Sequence, residues 1–198
     1  VDIATNSTAN HTCARRADGT VLCWGYNSLG QLGDGSMTNR WTPTLVSGLA
    51  NVAGVALGGE YTCARKSDSS LFCWGLNGSG QLGLGDLSNR ATPTLVPLFG
   101  VLQVVLGDSS TFARVTDGTV RGWGRNNYGQ LGDGTSTNRA APTVVSALAG
   151  LSGISMGSSY GCALSPDLGV VCWGYNGAGQ LGDGSFASRY TPVDVIWP

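Results

Sequence analysis

Residues 23–35 read CWGYNSLGQLGDG, and the phrase returns as CWGLNGSGQLGLG from Cys73, GWGRNNYGQLGDG from Gly122 and CWGYNGAGQLGDG from Cys172. Its tryptophans, Trp24, Trp74, Trp123 and Trp173, are spaced 50, 49 and 50 residues apart. Each phrase runs on to an arginine (Arg40, Arg90, Arg139, Arg189) and then a proline (Pro43, Pro93, Pro142, Pro192). A period of about 50 residues marks a unit that cannot bury its faces alone and has to stack on neighbours.

Within a unit the residues spell short strands divided by turns. In the second, VAGVALG from Val52 is a run of small and branched apolar residues suited to a strand buried on both faces. YTCARKS and SLFCWG follow, parted by Asp68 and its neighbours. The first and third units have Asp18-Gly19 and Asp117-Gly118 at that turn, a strong hairpin signal. The NxxGQLGxG stretch is irregular, and PTLV closes the unit as a short strand whose proline suits an edge. Four strands per unit, four times over, predict an all-β chain: a β-propeller-type array of four four-stranded blades in one repeat domain, 1–198. Blade boundaries are expected near 1–50, 51–99, 100–149 and 150–198.

Composition agrees. Gly supplies 32 of 198 residues, and only 12% are charged, about half the usual ~25%. Glu60, Lys66 and His11 are each the single residue of their kind, which leaves no material for surface helices and excludes a helical bundle. A net charge of −1 gives no basic footprint for a phosphate backbone, so no nucleic-acid partner is expected. The greasiest stretch, Leu95 to Leu106, is interrupted by Gly100 and Gln103 and is too short for a membrane span. The chain starts at Val1 without a basic n-region or an apolar h-region, as a mature product or an excised piece does.

The W-G-x-N-x-x-G-Q-L-G-x-G phrase, followed by Arg and Pro, resembles the repeat of the regulator of chromosome condensation family, and the likeness covers the whole chain. The resemblance implies a β-propeller, usually of seven blades. Family functions include guanine-nucleotide exchange on a small GTPase, chromatin binding, and β-lactamase inhibition by a secreted bacterial member, so fold alone leaves function open. The secreted bacterial type fits the cysteines best, and an intracellular exchange factor fits them poorly.

The six cysteines form three pairs of one spacing: Cys13 with Cys23, Cys63 with Cys73, and Cys162 with Cys172. Each pair flanks its hairpin turn symmetrically, which places the partners opposite each other on adjacent strands, within disulfide reach. In the third unit both positions change together, to Phe112 and Gly122, as direct pairing requires. Free buried thiols are the alternative. Two cysteines per blade and one His do not assemble a four-ligand zinc site. Disulfides imply an oxidising compartment, hence a secreted or cell-surface location.

Catalytic material is sparse, and no enzyme, cofactor or metal is expected. His11 occupies a repeat position that holds Tyr61 and Tyr160 elsewhere, and nothing singles out a serine nucleophile. The GQLGDG stretches lack the Lys-Ser/Thr of a phosphate loop and read as tight turns. One carboxylate per Asp34-Gly35-Ser36 loop is thin for calcium, and the second unit has Leu84 there instead. The recurring arginines are expected to brace their own loops. Residues that differ between units are the better interface candidates: Tyr26, Trp41, Arg125, Tyr128, Tyr175 and Phe186, with Trp197 as a bulky ring on the terminal strand. Asn6, Asn10 and Asn77 begin glycosylation sequons.

Four blades shaped like those of a seven-bladed ring span little more than half a circle, and an open arc exposes two apolar faces. A longer parent chain, a tight four-bladed ring, or association of copies would cover them. The expected function is a non-catalytic extracellular module that acts by protein contact, foremost as a self-associating scaffold subunit; the alternative is a secreted binding or inhibitor protein.

Overall fold

The computed structural model describes residues 1–167 and 169–197. Among them, strands β1 (Asp2–Ala4), β2 (His11–Arg15), β3 (Val21–Gly25) and β4 (Arg40–Leu45) form the first sheet. The second holds β5 (Val52–Leu57), β6 (Tyr61–Lys66), β7 (Leu71–Gly75) and β8 (Arg90–Leu95). The third holds β9 (Val101–Leu106), β10 (Ser110–Val115), β11 (Val120–Gly124) and β12 (Arg139–Val144). The fourth holds β13 (Ser152–Met156), β14 (Tyr160–Leu164), β15 (Val170–Gly174) and β16 (Arg189–Asp194).

Every sheet is an antiparallel meander in sequence order, so each is one propeller blade. The hairpin between second and third strands turns where the sequence places it, with Asp18 Oδ1 accepting the Thr20 N–H at 2.9 Å and Asp117 Oδ1 the Thr119 N–H at 2.9 Å. Pro43, Pro93, Pro142 and Pro192 sit on the fourth, outermost strands, where a missing N–H faces no partner. Among the described residues no helix is long and apolar enough to cross a membrane.

The core lies between blades rather than within them. One cluster joins Cys13, Val21, Cys23 and Leu32 of the first blade to Ala64 and Trp74 of the second. The next joins Cys63, Leu71 and Leu82 to Ala113 and Trp123, and the third joins Phe112, Val120 and Leu131 to Ala163 and Trp173. Each blade thus presents a front face carrying the cysteine positions and the GQL leucine. That face packs on the next blade's back face, which carries the tryptophan. No described cluster joins the fourth blade to the first.

Two expectations need correction. The strand from Val52 is not buried on both faces: Val52 and Leu57 are buried, but the four residues between them are half-exposed. First strands approach the axis of the arc, where β5 and β9 splay to leave an open groove of about 170 Å³ beside Val55, Leu102 and Gln103. Trp197 lies beyond the terminal strand, which ends at Asp194, and is 67% exposed.

Candidate functional site

The structure joins Cys13 to Cys23, Cys63 to Cys73, and Cys162 to Cys172. In each pair the residues are directly opposed on the second and third strands, with Cα atoms 4.2, 4.1 and 4.1 Å apart. In the third blade the Phe112 ring takes the room of the absent bridge. A Cβ added at Gly122 would come within 3.1 Å of that ring, which is why both positions change together. The ring also stands edge-on to Trp173 of the next blade, with centroids 6.1 Å apart. Intact mass should rise by the mass of six hydrogens on reduction, two for each of the three bridges. A smaller gain would mean that at least one bridge is missing in the native protein.

The WGxNxxGQLGxG loop is organised by its asparagine, whose role the sequence reading missed. Asn27 is fully buried; its Oδ1 accepts the Leu32 N–H at 2.9 Å, and its Nδ2 donates to the Ser36 and Thr38 carbonyls at 3.1 and 3.0 Å. Asn77, Asn126 and Asn176 repeat the pattern. Its recurrence in every unit was the available signal. The amide of Asn77, which also begins one of the three sequons, is buried and donates to the Asp86 carbonyl at 2.9 Å.

The arginines brace these loops. Arg40 meets Asp34 at 2.7 Å, Arg139 meets Asp133 at 2.8 Å, and Arg189 meets Asp183 at 2.6 Å. In the second blade, where Leu84 replaces the aspartate, Arg90 pairs with Asp86 two positions on. Burial draws the Asp183 carboxyl upward, but donors from Arg189, Ser185 and Asn176 outweigh it and bring it down to about 2. Both Asp34 oxygens accept hydrogen bonds inside the loop, Oδ1 from Ser36 and Oδ2 from Arg40. Among the described residues no group of three or more His, Cys, Asp or Glu is placed to hold a metal.

His11 is buried between the first two blades, with Nε2 2.9 Å from Thr62 Oγ1. The Thr62 hydroxyl already donates to the Gln31 carbonyl at 2.9 Å, so His11 Nε2 must be the donor, and Nδ1 is left buried without a partner. Tyr61 makes the corresponding contact one blade on, to Ser110 O and Thr111 Oγ1. Burial lowers the His11 pKa to about 4. A neutral ring sealed between blades has no route to a substrate.

Of the interface candidates, the structure gathers Arg125, Tyr128 and Tyr175. The two tyrosine rings are 5.0 Å apart and the Arg125 guanidinium is 5.8 Å from the Tyr128 centroid. Trp41 is 90% exposed on β4, Phe186 projects from the fourth blade's loop, and Tyr26 stands half-exposed on the first blade.

Four meander blades stacked front to back, with loops pinned by buried asparagines, define a β-propeller repeat protein. The family model described as "Regulator of chromosome condensation (RCC1) repeat" matches residues 18–65, 68–114 and 117–164, and a second model of the same description matches 1–31, 52–81 and 101–130. The chain belongs to the RCC1 repeat family. The first model's frame runs from one hairpin turn to the next, so each match straddles two blades.

Among solved structures, yeast RCC1 (Prp20), crystallised with Kap60, is 21% identical, with a TM-score of 0.89 over 100% of this chain and 48% of that one. Human WBSCR16 is 28% identical, with a TM-score of 0.83 over 100% of this chain and 53% of that one. The ectodomain of the Arabidopsis thaliana receptor kinase ACR4 is 21% identical, with a TM-score of 0.52 over 87% and 54%. The chain spans about half the length of these relatives.

Proposed function

We propose that this chain is a non-catalytic, extracellular β-propeller module of the secreted type that acts by protein contact and associates with copies of itself. The observation that carries the reading is that these blades bury their apolar faces against one another rather than within themselves. Trp74, Trp123 and Trp173 are fully buried by a preceding blade, whereas Trp24 on the first blade is half-buried. At the other end Cys162, Val170 and Gln180 are half-buried, while Cys13, Val21 and Gln31 of the first blade are buried. Apolar faces of this kind favour association. The three disulfides support an oxidising location. The absence of nucleophile–base geometry around His11 supports a non-catalytic role.

A second reading is favoured by the Arg125–Tyr128–Tyr175 cluster, since partly exposed Arg and Tyr are typical anchors of a protein-binding site. On that reading the chain is a secreted binding or inhibitor protein, β-lactamases being the first targets to try. Light scattering on the oxidised chain separates the two. A mass rising with concentration is expected, and a monodisperse particle of single-chain mass that inhibits a β-lactamase would replace the first reading by the second.

A further inference from the structure

Not every recurring arginine braces a loop. Arg15, Arg65 and Arg114 stand at one register on the second strands of three successive blades, two positions after Cys13, Cys63 and Phe112. The fourth blade has Leu164 there, so the fold itself does not require a cation at this position. Among the described residues Arg40, Arg90, Arg139 and Arg189 each pair with an aspartate of their own loop, whereas Arg65 and Arg114 form no ion pair. The carboxylates of the adjoining hairpins are already engaged, Asp68 by Lys66 at 3.6 Å and Asp117 by Arg121 at 3.1 Å. Arg15 likewise keeps its Nε buried without a partner.

Two of these arginines line grooves between blades. Arg65 borders the 170 Å³ groove between the second and third blades, facing Leu102 and Val104 across it. Arg114 borders a tighter recess between the third and fourth, against Leu151 and Ile154. β9 is the wall they share, since Gln103 borders both. Among the described lining residues Arg65 and Arg114 are the only charges. Gly54, opposite Arg65 in the strand register, leaves further room: a Cβ there would meet no atom within 4 Å. Each groove has a blade of this chain on either side, so neither groove is an end face.

Resting on the reading that the chain acts by protein contact, we infer that these adjoining grooves dock an extended acidic peptide segment of a partner protein. The charge is what selects the occupant. A guanidinium is a planar fork that matches a carboxylate with two parallel hydrogen bonds, and both forks are free of internal partners. The walls select the rest. Exposed Leu102 and half-buried Val55 and Val104 offer apolar contact beside the Arg65 charge. An extended segment alternates its side chains between two faces, so acidic residues along one face reach Arg65 and then Arg114 while the backbone crosses β9. A nucleic acid is the poorer occupant, because the chain carries a net charge of −1 and no broad basic footprint.

Fluorescence anisotropy with a labelled peptide of four Glu-Val repeats tests the site on the oxidised chain. Arg65→Gln and Arg114→Gln are each expected to weaken binding on the order of tenfold, the loss of one charge-assisted contact. Gly54→Val fills the groove without touching a charge, at a backbone position with room for it, and should weaken binding to a similar degree. Arg16→Gln removes the same charge from the exposed hairpin of the first blade and should leave binding unchanged. Circular dichroism checks that each variant keeps the fold. The inference is overturned if the unaltered chain does not bind the peptide, or if the groove variants bind it equally well. It is also overturned if Arg16→Gln weakens binding as much as they do, or if an oligothymidylate of equal charge binds more tightly. Light scattering on the same samples reads self-association separately, so losing the peptide site leaves that reading standing.

Discussion

Trp123→Ala should lower stability by about 4 kcal/mol, measured from the denaturant midpoint of the oxidised chain. The ring is fully buried and fills the interface between second and third blades, against Gly83 and beside Leu82 and Cys63. Gly83 has a φ of 74° and a backbone held by its own loop, so it cannot close over the void. The hydrogen-bond loss is minor by comparison, since the Gln81 carbonyl keeps the Thr111 hydroxyl. The cost is therefore mostly cavity and lost contact. In a stacked array stability is a sum of blade and interface contributions, and weakening the central interface should also split the unfolding transition into two. Trp24→Ala removes the same side chain of the same motif from a half-open face. Measured on dissociated chain, it should cost no more than about 1–2 kcal/mol. Equal losses at the two positions would mean that the blades are held from within and that the interfaces do not carry the fold.

That contrast also shows what the sequence made legible. The 50-residue period and the Asp-Gly turns sufficed for the blades, because hairpin register follows from residues close in the chain. The disulfides were legible for the same reason: Cys13 and Cys23 flank one turn at equal distance. What stayed hidden acts across blades or through the backbone. The Gln31 carbonyl is the hub of the first interface, yet a carbonyl is common to every residue and leaves no mark in the sequence. Gly33 is small because of Trp74, some forty positions away. The Arg125–Tyr128–Tyr175 cluster draws on two units, so no single repeat displays it. The second blade's exchange of Asp34's counterpart for Asp86 was half visible, as the odd Leu84, while its compensation was not. The half-exposed β5 was misjudged because an apolar run says nothing about whether the axis of the arc is filled.

Acid should weaken the first interface before it touches the loops. His11 is held neutral, because burial lowers its pKa from the ordinary 6.5 to about 4. Between those values the unfolded chain binds a proton that the folded chain refuses. The stability tied to neutral His11 is therefore complete above pH 6.5 and drains away as pH falls towards 4. The shift corresponds to roughly 3 kcal/mol at about 1.4 kcal/mol per unit. The cause is local: Nε2–H is spent on Thr62, so an added proton must sit on Nδ1, which has no acceptor. The loop carboxylates are a separate matter. Asp34, Asp133 and Asp183 all titrate below the usual carboxylate value of 3.8, so the stability they contribute is lost only at lower pH. His11→Tyr installs the residue that the second blade uses at this position, where the Tyr61 hydroxyl donates to Ser110 O at 2.7 Å. Denaturation followed from pH 7 down to 5, above the range where the carboxylates begin to protonate, should therefore slope for the native chain and run flat for His11→Tyr. A native profile with no slope in that window, or a variant that keeps the slope, would place the titrating group elsewhere.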